Sequence, residues 1–253
     1  LHFAMLIRQT TPEMVDYLLQ SGANINLTAE NGKTALDFAI AGDVDEKIVR
    51  LLLSKGADER VKDSDGFTPV HRAIERGRYD LLKLFLDNGF SIKENFYDYG
   101  SALHYAVNAF PTGLDCSHVE NLLGDSIGNL CARVVELIVA AGVDVNEKDS
   151  DGQTALEFSL LDPVCHLEVV DKLIDLGAEV NSMLSHNYTP LMTVAGFGSC
   201  DSVLLLLKKG ADVNARLPDG SQAIHLAAEK NSDPEVIRLL ASAGADLNSR
   251  CDG

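Results

Sequence analysis

Ser64-Asp65-Gly66-Phe67-Thr68-Pro69-Val70-His71-Arg72-Ala73-Ile74-Glu75-Arg76-Gly77 runs through Arg78 into Tyr79-Asp80-Leu81-Leu82-Lys83-Leu84-Phe85-Leu86-Asp87-Asn88-Gly89. Thr68 can cap a helix with its hydroxyl, and Pro69 suits the first helical turn, where a missing N–H costs nothing. Val70, Ala73 and Ile74 then fall on one apolar face, and Gly77 permits reversal into a second helix carrying Leu81, Leu82, Leu84, Phe85 and Leu86. Gly89 ends that helix in a left-handed conformation that a Cβ would penalise. Two helices of about ten residues cannot bury such faces alone, so the unit must stack on copies of itself.

The copies are visible in the glycines. Gly22, Gly56, Gly89, Gly142, Gly177, Gly210 and Gly244 are separated by 34, 33, 53, 35, 33 and 34 residues, which implies seven units. Six helix starts align on Thr34, Thr68, Ser101, Thr154, Thr189 and Gln222, and the residue after each lies 13 positions beyond the preceding glycine every time. The connectors between units are therefore fixed in length, and all variation falls inside a unit, between its two helices. Asn31-Gly32, Asp65-Gly66, Asp151-Gly152 and Asp219-Gly220 predict tight, hairpin-like turns within the connectors.

Composition excludes several classes of function. The 253 residues hold 38 acidic against 21 basic side chains, and a formal charge of −17 repels phosphate backbones and anionic membranes. Nucleic acid is not an expected partner. No apolar run approaches the length of a membrane span; Val134–Val143 is broken by Glu136. Five scattered cysteines form no disulfide framework and point to a reducing, cytoplasmic setting.

Thr68-Pro69-Val70-His71-Arg72-Ala73, with Gly210-Ala211-Asp212-Val213-Asn214, resembles the ankyrin repeat, and the resemblance covers nearly the whole chain. It implies an all-α solenoid: a single stack of helix pairs with β-hairpin fingers, a concave face of fingers and first helices, and a protein or peptide partner bound there. The units fall at about 1–30, 31–63, 64–95, 96–149, 150–184, 185–217 and 218–253. The array reads as a segment of a longer protein. Asn26, Asn146, Asn181, Asn214 and Asn248 occupy a slot that the family uses to satisfy turn backbone.

Departures from the pattern generate further expectations. The family's histidine slot holds His2, His71, His104 and His225 but also Asp37, Glu157 and Met192, which predicts three interruptions of its side-chain hydrogen bonds. A turn glycine is replaced by Tyr99 and by Asn187; Asn tolerates positive φ, and Gly100 is expected to take the strained position beside Tyr99. The spacing of 53 predicts a loop inserted at about 110–129, with Ser117 capping a short helix and Pro111, Gly113, Gly124 and Gly128 breaking structure.

Catalysis finds no support in the residues. Four of seven histidines belong to the repeat, while Cys116/His118 and Cys165/His166 lack a second ligand pair, so no metal or cofactor is expected. No phosphate loop or nucleophile motif is present. The residues left free on the concave side are Phe67, Phe96, Tyr97, Tyr188 and Phe197, with Glu75 and Arg76 on a first helix. Exposed aromatics bury much area with few rotors to freeze, which makes these the expected partner-binding set. Charge is uneven: Asp43–Asn95 holds 11 acidic and 10 basic residues, Cys131–Asn181 holds 11 and 3, and the later half favours a basic partner. The expected function is a monomeric, non-enzymatic interaction scaffold; the alternative is a regulatory or targeting segment of a larger enzyme, toxin or channel.

Overall fold

The structure, a computed structural model, describes the chain except Arg8, Asp43, residues 94–99, 114–125, 162–166 and 185–186, Ser232 and residues 252–253. The described residues form α-helices and no sheet. They gather into two compact bodies, Leu1–Ser91 with residues 112–113, and Ile92–Pro111 with residues 126–251.

The first body contains α1 (His2–Met5), α2 (Pro12–Gln20), α3 (Ala35–Ala41), α4 (Glu46–Ser54), α5 (Pro69–Glu75) and α6 (Tyr79–Asp87). The first helices α1, α3 and α5 pack in one row, and the second helices α2, α4 and α6 in another. The first row is small and buried, with Ala35, Ala39, Ala73 and Ile74 at most 1% exposed. The second row presents one apolar stripe inward, including Ile48, Val49, Leu52, Leu81, Leu82 and Phe85.

The second body contains α7 (Ala102–Gly113) as far as Pro111, α8 (Ile127–Ala140), α9 (Ala155–Leu161), α10 (Leu167–Asp175), α11 (Pro190–Phe197), α12 (Cys200–Lys208), α13 (Ala223–Lys230) and α14 (Pro234–Ser242). Helices α9, α11 and α13 form its first row, and α8, α10, α12 and α14 its second. The insertion is less of a loop than its sequence predicts, because α7 runs on to Gly113 and α8 begins at Ile127. Gly128 is a buried member of α8 and does not break structure; it admits the Glu168 carboxylate, which a Cβ would strike. Ser117 and Gly124 lie outside the described residues.

The connectors are hydrogen-bonded turns rather than strand pairs. Ala29 to Lys33, Asp63 to Phe67, Asp149 to Gln153, Leu184 to Tyr188 and Leu217 to Ser221 each close through one backbone bond of 2.8–3.0 Å, with an inner turn bond beside it. Each loop carries one left-handed residue, Gly32, Gly66, Gly152, Asn187 or Gly220, and leaves too little extended chain for a ladder. Only Lys148 and Thr154 form a β-bridge among the described residues. The left-handed residue is Asn187 in the turn before α11, at φ 61°, the one described non-glycine residue with positive φ; Gly100 takes φ 80°, as expected.

The asparagines join one unit to the next. The Asn26 side chain donates to the Gly56 carbonyl (3.1 Å) and accepts from the Asp58 N–H (2.9 Å). Asn146 makes the same pair with Gly177 and Glu179 (3.0 and 3.0 Å), Asn181 with Gly210 and Asp212 (3.1 and 2.8 Å), and Asn214 with Gly244 and Asp246 (3.0 and 3.2 Å). An amide can donate and accept at once, which is what a helix-ending carbonyl and the following N–H require. Arg60 and Lys93 occupy this slot in the second and third units; neither has an acceptor, so the reciprocal bridge cannot form there.

The histidine slot adds a second link. Nε2 of His2, His104 and His225 lies 2.8, 3.0 and 3.1 Å from the carbonyls of Leu27, Gln153 and Ser249. The expected interruption at Asp37 is only partial. Its Oδ2 accepts from the N–H and hydroxyl of Thr34 at 2.8 and 2.7 Å, so the helix cap survives. An ionised carboxyl has no proton to pass on, and the buried Oδ1 has no hydrogen-bond partner among the described residues. Burial raises the Asp37 pKa against the pull of the Thr34 bonds. At Met192 only the Thr189 hydroxyl remains, accepting from the Met192 N–H at 3.3 Å.

Asn181→Ala should remove two bonds between units and cost about 1–3 kcal/mol in urea unfolding followed by circular dichroism. Asn248→Ala is the control, since the Asn248 amide bridges nothing among the described residues, and should change stability by less than about 0.5 kcal/mol.

Candidate functional site

Helix α11 is set by Thr189 at its cap and Pro190 at its first position, and every residue from Pro190 to Gly196 is buried. Only its last residue, Phe197, emerges, with 66% of its surface exposed. Tyr188 stands just before the cap, half-buried, held by the turn that Asn187 closes. Lys230, at the end of α13, completes the group. Its ammonium lies 5.4 Å from the Tyr188 ring centre and 5.2 Å from that of Phe197, and donates to the Tyr188 hydroxyl at 3.4 Å.

The spacing of this trio is fixed from behind. The Asn231 amide donates to the carbonyls of Ala195 and Gly198 at 3.0 and 3.2 Å, tying the end of α13 to the end of α11. The Lys230 stem passes Gly196, its Cδ 3.8 Å from where a Cβ would stand. Tyr188 and Phe197, expected from sequence, are thus brought together. Lys230 was missed, although a signal existed: Phe197 follows Thr189 by eight residues, as Lys230 follows Gln222.

The expected residues of the first body meet differently. Phe67 is half-buried, its ring 4.8 Å beneath the Arg72 guanidinium and 5.5 Å from the His71 ring. Arg72 is in turn held by Asp63 at 2.6 Å and Glu75 at 2.7 Å. Burial works to raise the Asp63 pKa, but the Arg72 bond and the N–H groups of Phe67 and Asp65 outweigh it and hold the carboxyl low. Phe67 and Glu75 therefore belong to a closed ion-pair network, while Arg76 is exposed with no ion pair among the described residues. Phe96 and Tyr97 lie outside the described residues, as do His118, His166, His186, Cys116 and Cys165. Among the described residues no three His, Cys, Asp or Glu side chains converge as metal ligands, and no helix is long and apolar enough to cross a membrane.

The family profile for ankyrin repeats (3 copies) matches residues 1–96, 43–126, 125–217 and 163–251. The chain belongs to the ankyrin-repeat family. Among solved structures, the human ASB11 ankyrin repeat domain superposes with a TM-score of 0.70 at 23% identity, covering 97% of both chains. Similar curated proteins include the E3 ubiquitin-protein ligase KEG of Arabidopsis thaliana, 27% identical over 87% of this chain and 15% of that protein. Another is the human transient receptor potential cation channel subfamily A member 1, 29% identical over 94% of this chain and 24% of the channel. The chain thus spans less than a quarter of either relative. Ankyrin repeats are protein–protein interaction modules on a non-catalytic fold, and relatives carry them inside larger proteins.

The packing beside Phe67 fixes the protonation of His71. Its Nδ1 accepts from the Thr68 N–H at 3.1 Å and faces the Thr68 hydroxyl at 2.7 Å, which requires the neutral ring. Burial first, then the charges of Arg72 and Lys62, push its pKa down to about 4, with Asp63 opposing. A histidine depressed in the folded state contributes stability above its unfolded pKa of about 6.5 and loses it as pH falls towards 4. The stability of the parent should therefore fall by up to about 3 kcal/mol between pH 7 and pH 4. His71→Gln, which keeps an acceptor at the cap, should flatten that part of the pH profile.

Proposed function

We propose that this ankyrin array binds a protein or peptide along the side formed by its turns and first helices, with Tyr188 and Phe197 as anchors. The observation that carries this reading is Phe197, 66% exposed at the end of a helix otherwise buried from Pro190 to Gly196. An exposed aromatic on so well-packed a support buries large area on binding and has little conformational freedom to lose. Arg76 holds in its own unit the place that Phe197 holds in its unit, and Phe96 and Tyr97 lie outside the described residues; Phe67 and Glu75 serve the network around Arg72.

The partner surface in this reading is basic. On the connectors after Gly142, Gly177 and Gly210, Asp144, Asp151, Glu179, Asp212 and Asp219 are exposed, against exposed Lys148 and Arg216. Such a surface steers cationic partners and repels acidic ones. The reading is of a cytoplasmic, monomeric scaffold without a reaction of its own. A second reading is favoured by the relatives: a chain matching only 15% of a ligase and 24% of a channel suits a regulatory segment within a larger protein. The reading frame on either side of the segment distinguishes the two.

Tyr188→Ala and Phe197→Ala should each weaken capture of the partner by more than about 1 kcal/mol with the circular dichroism spectrum unchanged. Phe67→Ala should act mainly on stability, lowering the unfolding midpoint while leaving capture by the folded chain intact. If the double variant at Tyr188 and Phe197 retains whatever the parent captures, recognition lies elsewhere.

A further inference from the structure

We propose that Tyr188 and Phe197 form a two-ring clamp for a lysine or arginine side chain of a basic partner, and that Lys230 occupies it in the free chain. The inference rests on the binding face argued above and names the chemistry recognised there. The two ring–cation contacts at the expected aromatics are built differently. Arg72 over Phe67 has two carboxylates at 2.6 and 2.7 Å and only 13% side-chain exposure, so it is locked. Lys230 is exposed and makes no ion pair among the described residues; beyond the rings it has the Tyr188 hydroxyl at 3.4 Å, a long bond.

In a chain with 38 acidic and 21 basic residues, this ammonium rests on two aromatic faces, both within the distance at which a ring attracts a cation. It therefore marks a position where an alkylammonium fits. Being flexible and solvent-exposed, Lys230 can swing out, and an incoming cation would take over the same two rings. The acidic connectors of the same body favour that exchange by concentrating basic segments nearby. They oppose the other use of Lys230, as a counter-ion for an acidic partner. Occupation by Lys230 lowers the apparent affinity by the fraction of chains in which the clamp is filled.

The test uses the intact chain with 13C-labelled lysines and a synthetic peptide of alternating lysine and glycine, with a glutamate–glycine peptide as counterpart. Over two rings, the side-chain protons of Lys230 carry an upfield shift, assigned by its disappearance in Lys230→Met. Titration with the lysine peptide should return that signal to the position of exposed lysines. Lys230→Met should bind the same peptide about threefold tighter or more, because the competitor is gone. Tyr188→Ala with Phe197→Ala should abolish the saturable response. The proposal is overturned if the signal stays in place at millimolar peptide, if Lys230→Met binds equally or more weakly, or if removing both rings leaves lysine-peptide binding unchanged. It is equally overturned if the glutamate peptide moves the signal, since Lys230 would then be the recognition element. Partner capture that still depends on Tyr188 and Phe197 while the lysine peptide fails would sink the clamp and leave the binding face standing.

Discussion

A helix pair of this size has no interior of its own, so its apolar faces are useful only while the next pair sits at the right height and angle. The reciprocal amide bridge supplies that constraint. Each bridging asparagine reaches from one connector to the carbonyl of the glycine ending the next second helix and to the N–H two residues on. Both groups would otherwise be orphaned at a helix end. Where an asparagine bridges, one extra residue in the 13-residue connector would move donor and acceptor out of reach; the connectors carrying Arg60 and Lys93 keep the same length without the bridge.

Cohesion is consequently uneven along the chain. Asn146, Asn181 and Asn214 give consecutive bridges through the second body, and His104 and His225 add cross-links at two of its units. The first body has the Asn26 bridge and the His2–Leu27 link, but Arg60 in the next asparagine slot and an aspartate in place of histidine at Asp37. Its compensation is ionic: Asp63, Arg72 and Glu75 form a largely buried chain of charge-assisted bonds. Such a network tolerates loss of a member poorly, because the remaining charge is left without its partner. In an array where each unit touches only its neighbours, opening is expected to begin where links are fewest.

Much of this was legible in the sequence because it follows from single residues under strong constraint. Asn187 is a left-handed residue that is not glycine, and Gly100 takes a positive φ; both follow from backbone sterics. The candidate site was legible only in part. Tyr188 and Phe197 stand out as aromatics in free slots, but the cation between them belongs to the next unit, and only superposing the units brings Lys230 to Phe197. The setting of Phe67 was hidden for a related reason: the residue covering it, Arg72, is itself pinned by Asp63 from the preceding connector. Gly128 was read as a breaker, whereas its lack of a side chain serves Glu168 on another helix. What one sequence hides here is pairing across units, not the units themselves.

The residue eight places after each helix cap illustrates a division of labour. Gly42, Arg76, Phe197 and Lys230 stand at that place exposed and share no chemistry, whereas Ala109 at the same place is buried. Three places earlier, Ala39, Ala73, Ala106, Val194 and Ala227 are buried. A substitution at Arg76, Phe197 or Lys230 thus alters what the surface can recognise while leaving the stack its bridges and its core, whereas a side chain at Gly42 would strike the Met5 and Phe38 carbonyls. Natural variation can therefore retune specificity one unit at a time, and partner choice can drift across descendants of this array without each step first having to be rescued by a stabilising change.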